Sequence, residues 1–428
     1  MKRFILLVAI AFVATIPALI LRYSGWYPDP LLDTAVFGIG ILSAGFMLSW
    51  GAEAAETRIS QGLILAIVAL VTVLPEYAVD IYYAYQAGKG GPESPYVQYA
   101  AANMTGANRL LVGVAWPLMV FLHWAKDRHR AIGLPPSSAT EIGFLLIASL
   151  YSFVIVLKDT ITLFDFAVLL AIFAFYLWRV RSIQKSEDTG EEQEEPGPAA
   201  ALKSLPVGRQ WAVMIALVAF AASVILASAE PFAEAMVGAG RVLGLNEFLL
   251  IQWLAPLASE APAIVIAVLF VRANRSGDGL TAMISDKINQ WTLLVGMLPL
   301  ALSVGAGSIS SLPLDARQAE EFFLTAAQSL FAIGLIATLR LTVWSSVALF
   351  GLFLVQVALA FTFRDDEART IVTLTWLAWV YLGLAAVLFA VRGRTLAAIL
   401  VQTLTGRAMA APAAQSLECA PAAGRRLV

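Results

Sequence analysis

Residues 62–88, GLILAIVALVTVLPEYAVDIYYAYQAG, set a carboxylate behind a proline inside an apolar run. The run is long enough to cross a bilayer, for which about 20 apolar residues suffice. A glutamate at that depth costs at least about 2.5 kcal/mol, so Glu76 is expected to have a partner or a task. Pro75 removes a backbone donor and crowds the carbonyl four residues earlier, which predicts a break or kink beside Glu76. Bare carbonyls next to a buried carboxylate are the means by which membrane transporters build a cation site.

The pattern occurs twice. Residues 251–271, IQWLAPLASEAPAIVIAVLFV, hold Glu260 between Pro256 and Pro262. Each glutamate segment is followed by an apolar helix that opens on a polar cluster, AANMTGANRLLVG at 101–113 and MISDKINQWTLLVG at 283–296. Superposing the two LLVG strings sets Asn103 on Asp286. Asn103 follows Glu76 by 27 residues, and Asp286 follows Glu260 by 26. An internal repeat on this scale decides the fold more than any local signal does.

On these residues the chain resembles the membrane region of the sodium/calcium exchangers, in the cation/calcium antiporter superfamily, as a divergent member. That family carries two inverted repeats. Each has a glutamate helix, typically Leu-Pro-Glu, and then a helix with a G-N-x-x-G-S-N-like string. Here the first repeat gives Leu74-Pro75-Glu76 and Ala102-Asn103-Met104-Thr105-Gly106-Ala107-Asn108. The second gives Ser259-Glu260 and Ser285-Asp286, without the glycine. The resemblance covers half the chain through these four helices and most of it through helix count. It implies an all-α polytopic membrane protein that exchanges cations.

Composition bounds the alternatives. Hydrophobic residues make up 60 % of the chain and charged ones 14 %, against about 25 % charged in soluble domains. The near-neutral net charge of −2 gives no sign of nucleic acid as a partner. A single cysteine, Cys419 in the tail, excludes a disulfide framework or a thiolate metal site within one chain. Two histidines, His123 and His129, exclude a histidine-rich zinc site. No cofactor is expected, and the partners are inorganic cations and the lipid bilayer.

In chain order, spans are expected in the first 33 residues and near 34–55, 60–88, 95–124, 142–157, 162–180, 210–237, 245–271, 281–306, 318–339, 341–363 and 370–391. The charged start and apolar run of the first helix also fit a signal peptide. Its length, and the lack of a small-residue cleavage site, favour a retained helix. Two five-helix repeats, 34–181 and 210–363, then stand between one extra helix at each end, in 1–33 and 364–428. An odd number of spans per repeat inserts the copies in opposite orientations, with the site between them at the midplane. Basic clusters at Lys126–Arg130, Arg179–Lys185, Arg272–Arg275 and in the carboxyl tail fall on one side. The positive-inside rule makes that side cytoplasmic, together with both termini. The compact chain points to a bacterial inner membrane. Residues 182–209 form an acidic, Pro- and Gly-rich linker, expected to be disordered and cytoplasmic. It lacks the alternating ligands and turn glycine of a calcium loop.

Glu76 and Glu260 are the expected charged ligands, with Asn103 and Asp286 completing a pseudo-symmetric square. Calcium takes six to eight oxygens at about 2.3–2.6 Å, and kinked backbone adds carbonyls to the set. Each residue alone reads equally well as a polar group tied into a helix–helix hydrogen bond. Four at matched repeat positions favour a site. In the family that the chain resembles, hydroxyls three and four residues before each glutamate help bind sodium. Thr72 keeps one; Val73 replaces the other, and Pro256 and Leu257 replace both in the second repeat. This departure implies protons rather than sodium as the coupling ion. Asp80, one helical turn after Glu76, either competes with it for a proton or pairs with Arg109. Trp253 and Trp291 either narrow the path or pack. Glu53, Glu56, Glu230 and Glu234 belong near helix ends, as surface or access carboxylates.

The function expected is therefore secondary-active antiport of calcium, or a related cation, against protons or sodium, and not enzymatic. The alternative is a transport-inactive relative acting as a membrane interaction or regulatory protein. The lost hydroxyls favour that alternative, and retention of all four polar positions opposes it. Asp80, Asp286 and the histidines form no hydrolase arrangement.

Overall fold

Backbone in hydrocarbon must satisfy its own hydrogen bonds, and apolar runs of bilayer length do so as helices. A computed structural model describes residues 1–56, 73–187 and 198–406. Twelve helices make up nearly all of it: α1 Lys2–Ser24, α2 Pro30–Glu56, α3 Leu74–Gly90, α4 Pro95–Asp127, α5 Ser138–Lys158, α6 Leu163–Glu187, α7 Val207–Leu243, α8 Glu247–Arg272, α9 Ser276–Ala306, α10 Ala316–Ile336, α11 Val343–Thr362 and α12 Glu367–Thr405. Eleven are long and apolar enough to cross a membrane. The twelfth, α3, has 17 residues as described. The first part of its expected span, with Thr72, lies outside the described residues, as do the side chains of Glu53 and Glu56.

Some boundaries differ from expectation for physical reasons. Helix α5 starts at Ser138 rather than 142, because its polar first turn is buried against another helix: the Ser138 and Thr281 hydroxyls lie 2.7 Å apart. The linker expected over 182–209 is shorter. Helix α6 runs to Glu187, a 3₁₀ turn covers Pro198–Ser204, and α7 starts at Val207. The acidic residues between them, 188–197, lie outside the described residues, as does the basic tail from residue 407. Helix α12 extends beyond residue 391 to Thr405, and its end is held by Arg179 of α6. The guanidinium donates to the carbonyls of Thr403 at 3.0 Å and Gln402 at 3.1 Å, so a cation satisfies the last carbonyls of the helix. In the same way Lys126, at the end of α4, donates to Val271 and Arg272 at the end of α8.

Four short strands fix how the repeats relate. β1 (Ala131–Gly133) lies between α4 and α5, and β2 (Thr160–Ile161) between α5 and α6. β3 (Leu312–Pro313) and β4 (Arg340–Thr342) flank α10 in the equivalent places. In parallel repeats β1 would share a face with β3. Instead β1 pairs antiparallel with β4, Ile132 opposite Leu341, and β2 pairs with β3, Ile161 opposite Leu312. One membrane-crossing helix separates the two strands within each repeat. The second copy is therefore upside down relative to the first. The central contacts also cross the repeats, with α2 on α7, α3 on α9 and α4 on α8.

Candidate functional site

Glu76 is the third residue of α3, immediately after Pro75. Proline fits a first helical turn, where its missing N–H breaks no bond. The same turn brings a buried carboxylate to a helix N-terminus, where unpaired N–H groups favour negative charge. Glu260 is reached differently. Helix α8 runs unbroken through Pro256 and Pro262, so the second repeat shows no break at its glutamate. Its prolines still leave the carbonyls of Gln252 and Ala258 without helical donors. Gly106 of α4 sits directly against the Gln252 carbonyl, where a Cβ would overlap that oxygen. Gly45 of α2 lies at both glutamate helices. A Cβ there would meet Pro262 Cγ at 2.8 Å and Pro75 Cγ at 3.7 Å.

The two glutamates meet at one group. Gln290 Nε2 donates to Glu76 Oε1 at 3.2 Å and also to Glu260 Oε1. The Glu260 carboxyl group lies beside those of Glu76 and Asp286. Glu76, Glu260 and Gln290 are each at most 3 % exposed. Asp286 and Gln290 are four residues apart on α9 and so share a face. Beyond Asp286, a π-helical stretch covers Gln290–Leu294.

Asn103, the fourth residue of the expected square, is bonded to Asp80. Its Nδ2 donates to Asp80 Oδ1 at 2.8 Å, while Asn103 Oδ1 and Asp80 Oδ2 are buried without hydrogen-bond partners. The bond has a simple cause: an amide opposite a carboxylate is drawn to it, and α3 and α4 are adjacent in the bundle. An Asp80–Arg109 pair does not form. Arg109 pairs with Glu321 of α10, which Arg317 also holds at 2.6 Å. Its guanidinium lies 5.4 Å from the centre of the Trp253 ring. Arg317 also lies 3.6 Å from the buried Glu320, so two cations face two buried carboxylates and the cluster balances its charge.

Sequence reasoning also missed Lys287 and Gln290. Lys287 is fully buried, donates to the Asn108 carbonyl at 3.1 Å and lies 5.0 Å from the Trp291 ring centre. Gln290 was detectable only as the polar residue one turn after Asp286. Trp253 packs edge-on against Phe353, and Trp291 stacks on Phe322. Ser259, the hydroxyl next to Glu260, bonds back to the Ala255 and Pro256 carbonyls. Glu230 and Glu234 are exposed, paired with Arg22 at 2.6 Å and with the hydroxyls of Tyr82 and Tyr96 respectively.

This arrangement can hold a hard cation between carboxylates contributed by both repeats, with an amide already in place between two of them. Among the described residues, no three His, Cys, Asp or Glu side chains alone converge at metal-cage spacing. Comparison with known proteins gives the context. A solved H+/Ca2+ exchanger, CAX, is 37 % identical, with a TM-score of 0.86, over 95 % of this chain and 99 % of that one. The sodium-calcium exchanger NCX_Mj shares the fold at 17 % identity and a TM-score of 0.51, over 77 % of this chain and 98 % of the other. No curated protein matches the sequence. The model of the sodium/calcium exchanger protein family matches residues 31–181 and 213–362, the two inverted repeats, and the chain belongs to that family.

Proposed function

We propose that the protein is a secondary-active antiporter that moves calcium, or a related divalent cation, against protons by alternating access around Glu76 and Glu260. One observation carries this reading: a carboxylate from each inverted repeat reaches the same amide nitrogen inside the bilayer. The likeness to an H+/Ca2+ exchanger at 37 % identity supports the same cargo class. The donor set suits a hard cation. Glu76, Glu260 and Asp286 supply charge, Asn103 keeps a free amide oxygen, and the bare carbonyl of Ala258 lies two residues from Glu260. Thr72 is the remaining candidate oxygen.

Exchange follows from the cost of buried charge. A site neutralised by a divalent cation, or by protons, crosses between its two access states, whereas an empty and charged site does not. Proton coupling rests on the missing hydroxyls at Val73, Pro256 and Leu257. Flux in proteoliposomes under imposed gradients tests the reading. Calcium uptake should follow an outward proton gradient and ignore a sodium gradient. Robust uptake driven by sodium alone, at clamped pH and membrane potential, would refute proton coupling.

A further inference from the structure

We infer that Gln290 is a two-faced ligand: its amide nitrogen holds the seat of the divalent cation in the unloaded site, and its carbonyl oxygen binds the cation in the loaded one. This rests on the antiport reading above and names a residue that the repeat pattern does not reveal.

Gln290 Nε2 contacts Oε1 of Glu76 at 3.2 Å and Oε1 of Glu260 more closely still. A cation bridging the same two oxygens at about 2.3–2.6 Å needs the volume that this nitrogen and its hydrogens fill. Cation and amide nitrogen are therefore mutually exclusive. Both are positively polarised, so each satisfies the same carboxylate oxygens in the absence of the other. The second face is the amide oxygen. Gln290 Oε1 is buried, in a side chain with no solvent exposure, and has no hydrogen-bond partner. An unsatisfied buried acceptor in a native structure calls for an explanation. A half-turn about the terminal torsion exchanges nitrogen and oxygen, and that torsion is broad and roughly two-fold.

The surroundings fit this role. Gln290 opens the π-helical stretch of α9, and such widened turns occur frequently at functional sites. The LLVG superposition sets Gln290 on Ala107, so the first repeat has no equivalent amide. Being neutral, the swing brings an oxygen to the cation without changing the number of charges that cargo or protons must balance.

The test uses the full chain in proteoliposomes, isotope-labelled at the glutamine side-chain carbonyl and read by infrared difference spectroscopy as calcium is added at fixed pH. A glutamine carbonyl band should move to lower frequency on calcium addition in the parent and be missing from Gln290→Leu. Calorimetry should find calcium bound about tenfold more weakly by Gln290→Leu, the loss expected for one ligand to a charged group. The same band shift in Gln290→Leu, or calcium bound as tightly as in the parent, would overturn the inference. Should Gln290→Leu fail to fold, the parent decides: binding and exchange of calcium with no glutamine carbonyl shift overturns the inference while antiport stands. A parent that neither binds nor exchanges calcium overturns the antiport reading, and this inference with it.

Discussion

A carboxylate in hydrocarbon persists only with a cation, a proton or a donor beside it, and the acidic residues of this site are met in three ways. Glu76 and Glu260 share Gln290, Asp286 touches Glu260, and Asp80 takes the amide of Asn103. Under the proposed mechanism, Glu76→Gln and Glu260→Gln each remove one of few negative charges. Both variants should reach the membrane folded and show no calcium flux; near-normal flux in either would remove the central claim. Asp80→Asn should keep calcium binding but flatten the pH profile of uptake, since it deletes the carboxylate next to the site that can carry a proton. An unchanged profile would take Asp80 out of the coupling. The glutamates were legible because proline and repeat spacing mark them. Gln290 was not, because its repeat partner is an alanine and an amide in a helix announces no chemistry. The partner of Asp80 was equally hidden: Asn103 and Arg109 are both plausible from α4, and only the facing of the helices decides between them.

At the scale of elements, α4 is pinned from two directions. Arg109 joins it to α10 through Glu321, and Gly106 brings it against the bare Gln252 carbonyl of α8. Removing one partner of a buried ion pair costs about 3–5 kcal/mol, whereas replacing both by neutral groups is far milder. Glu321→Gln alone, which takes away the carboxylate that Arg109 pairs with while Arg317 keeps Glu320, should therefore lower unfolding stability in detergent much more than Arg109→Met combined with Glu321→Gln. Additive losses in that cycle would show that the pair is not a unit. Gly106→Val drives a side chain into the Gln252 carbonyl, so α4 must move away from α8. We expect a lower unfolding temperature together with lost flux, and parent-like values of both would contradict the contact. Helix count and order were legible from apolar runs alone. Helix ends were less so, because they depend on what lies opposite: Thr281 extends α5 backwards, and Arg179 carries α12 forwards.

For the whole molecule, the odd number of spans in each repeat already implied inversion, and the crossed strand pairs bear it out. Lys126 holds the end of α8 and Arg179 the end of α12, both on the face where the even-numbered helices end, while Arg22, Lys89, Lys158 and Arg241 stand in the last turns of α1, α3, α5 and α7. By the positive-inside rule we propose that the face of the even-numbered helix ends is the cytoplasmic one, with the linker between the repeats exposed on the same side. Single cysteines placed between Glu191 and Glu195, in a chain lacking Cys419, should resist impermeant thiol reagents in intact cells and react after permeabilisation. Labelling from outside would reverse the assignment.

The crossed strands also bear on how the chain is made. Among the described residues, both strands of the amino-terminal half, β1 and β2, have their partners in the carboxyl-terminal half, at opposite faces of the membrane. The pairing of β1 and of β2 is therefore complete only once the second half has been made. Asp80 finds Asn103 within the first half, whereas the amide that meets Glu76 comes from α9. The two repeats thus close each other's strand edges, so the inverted copy supplies what the first leaves open.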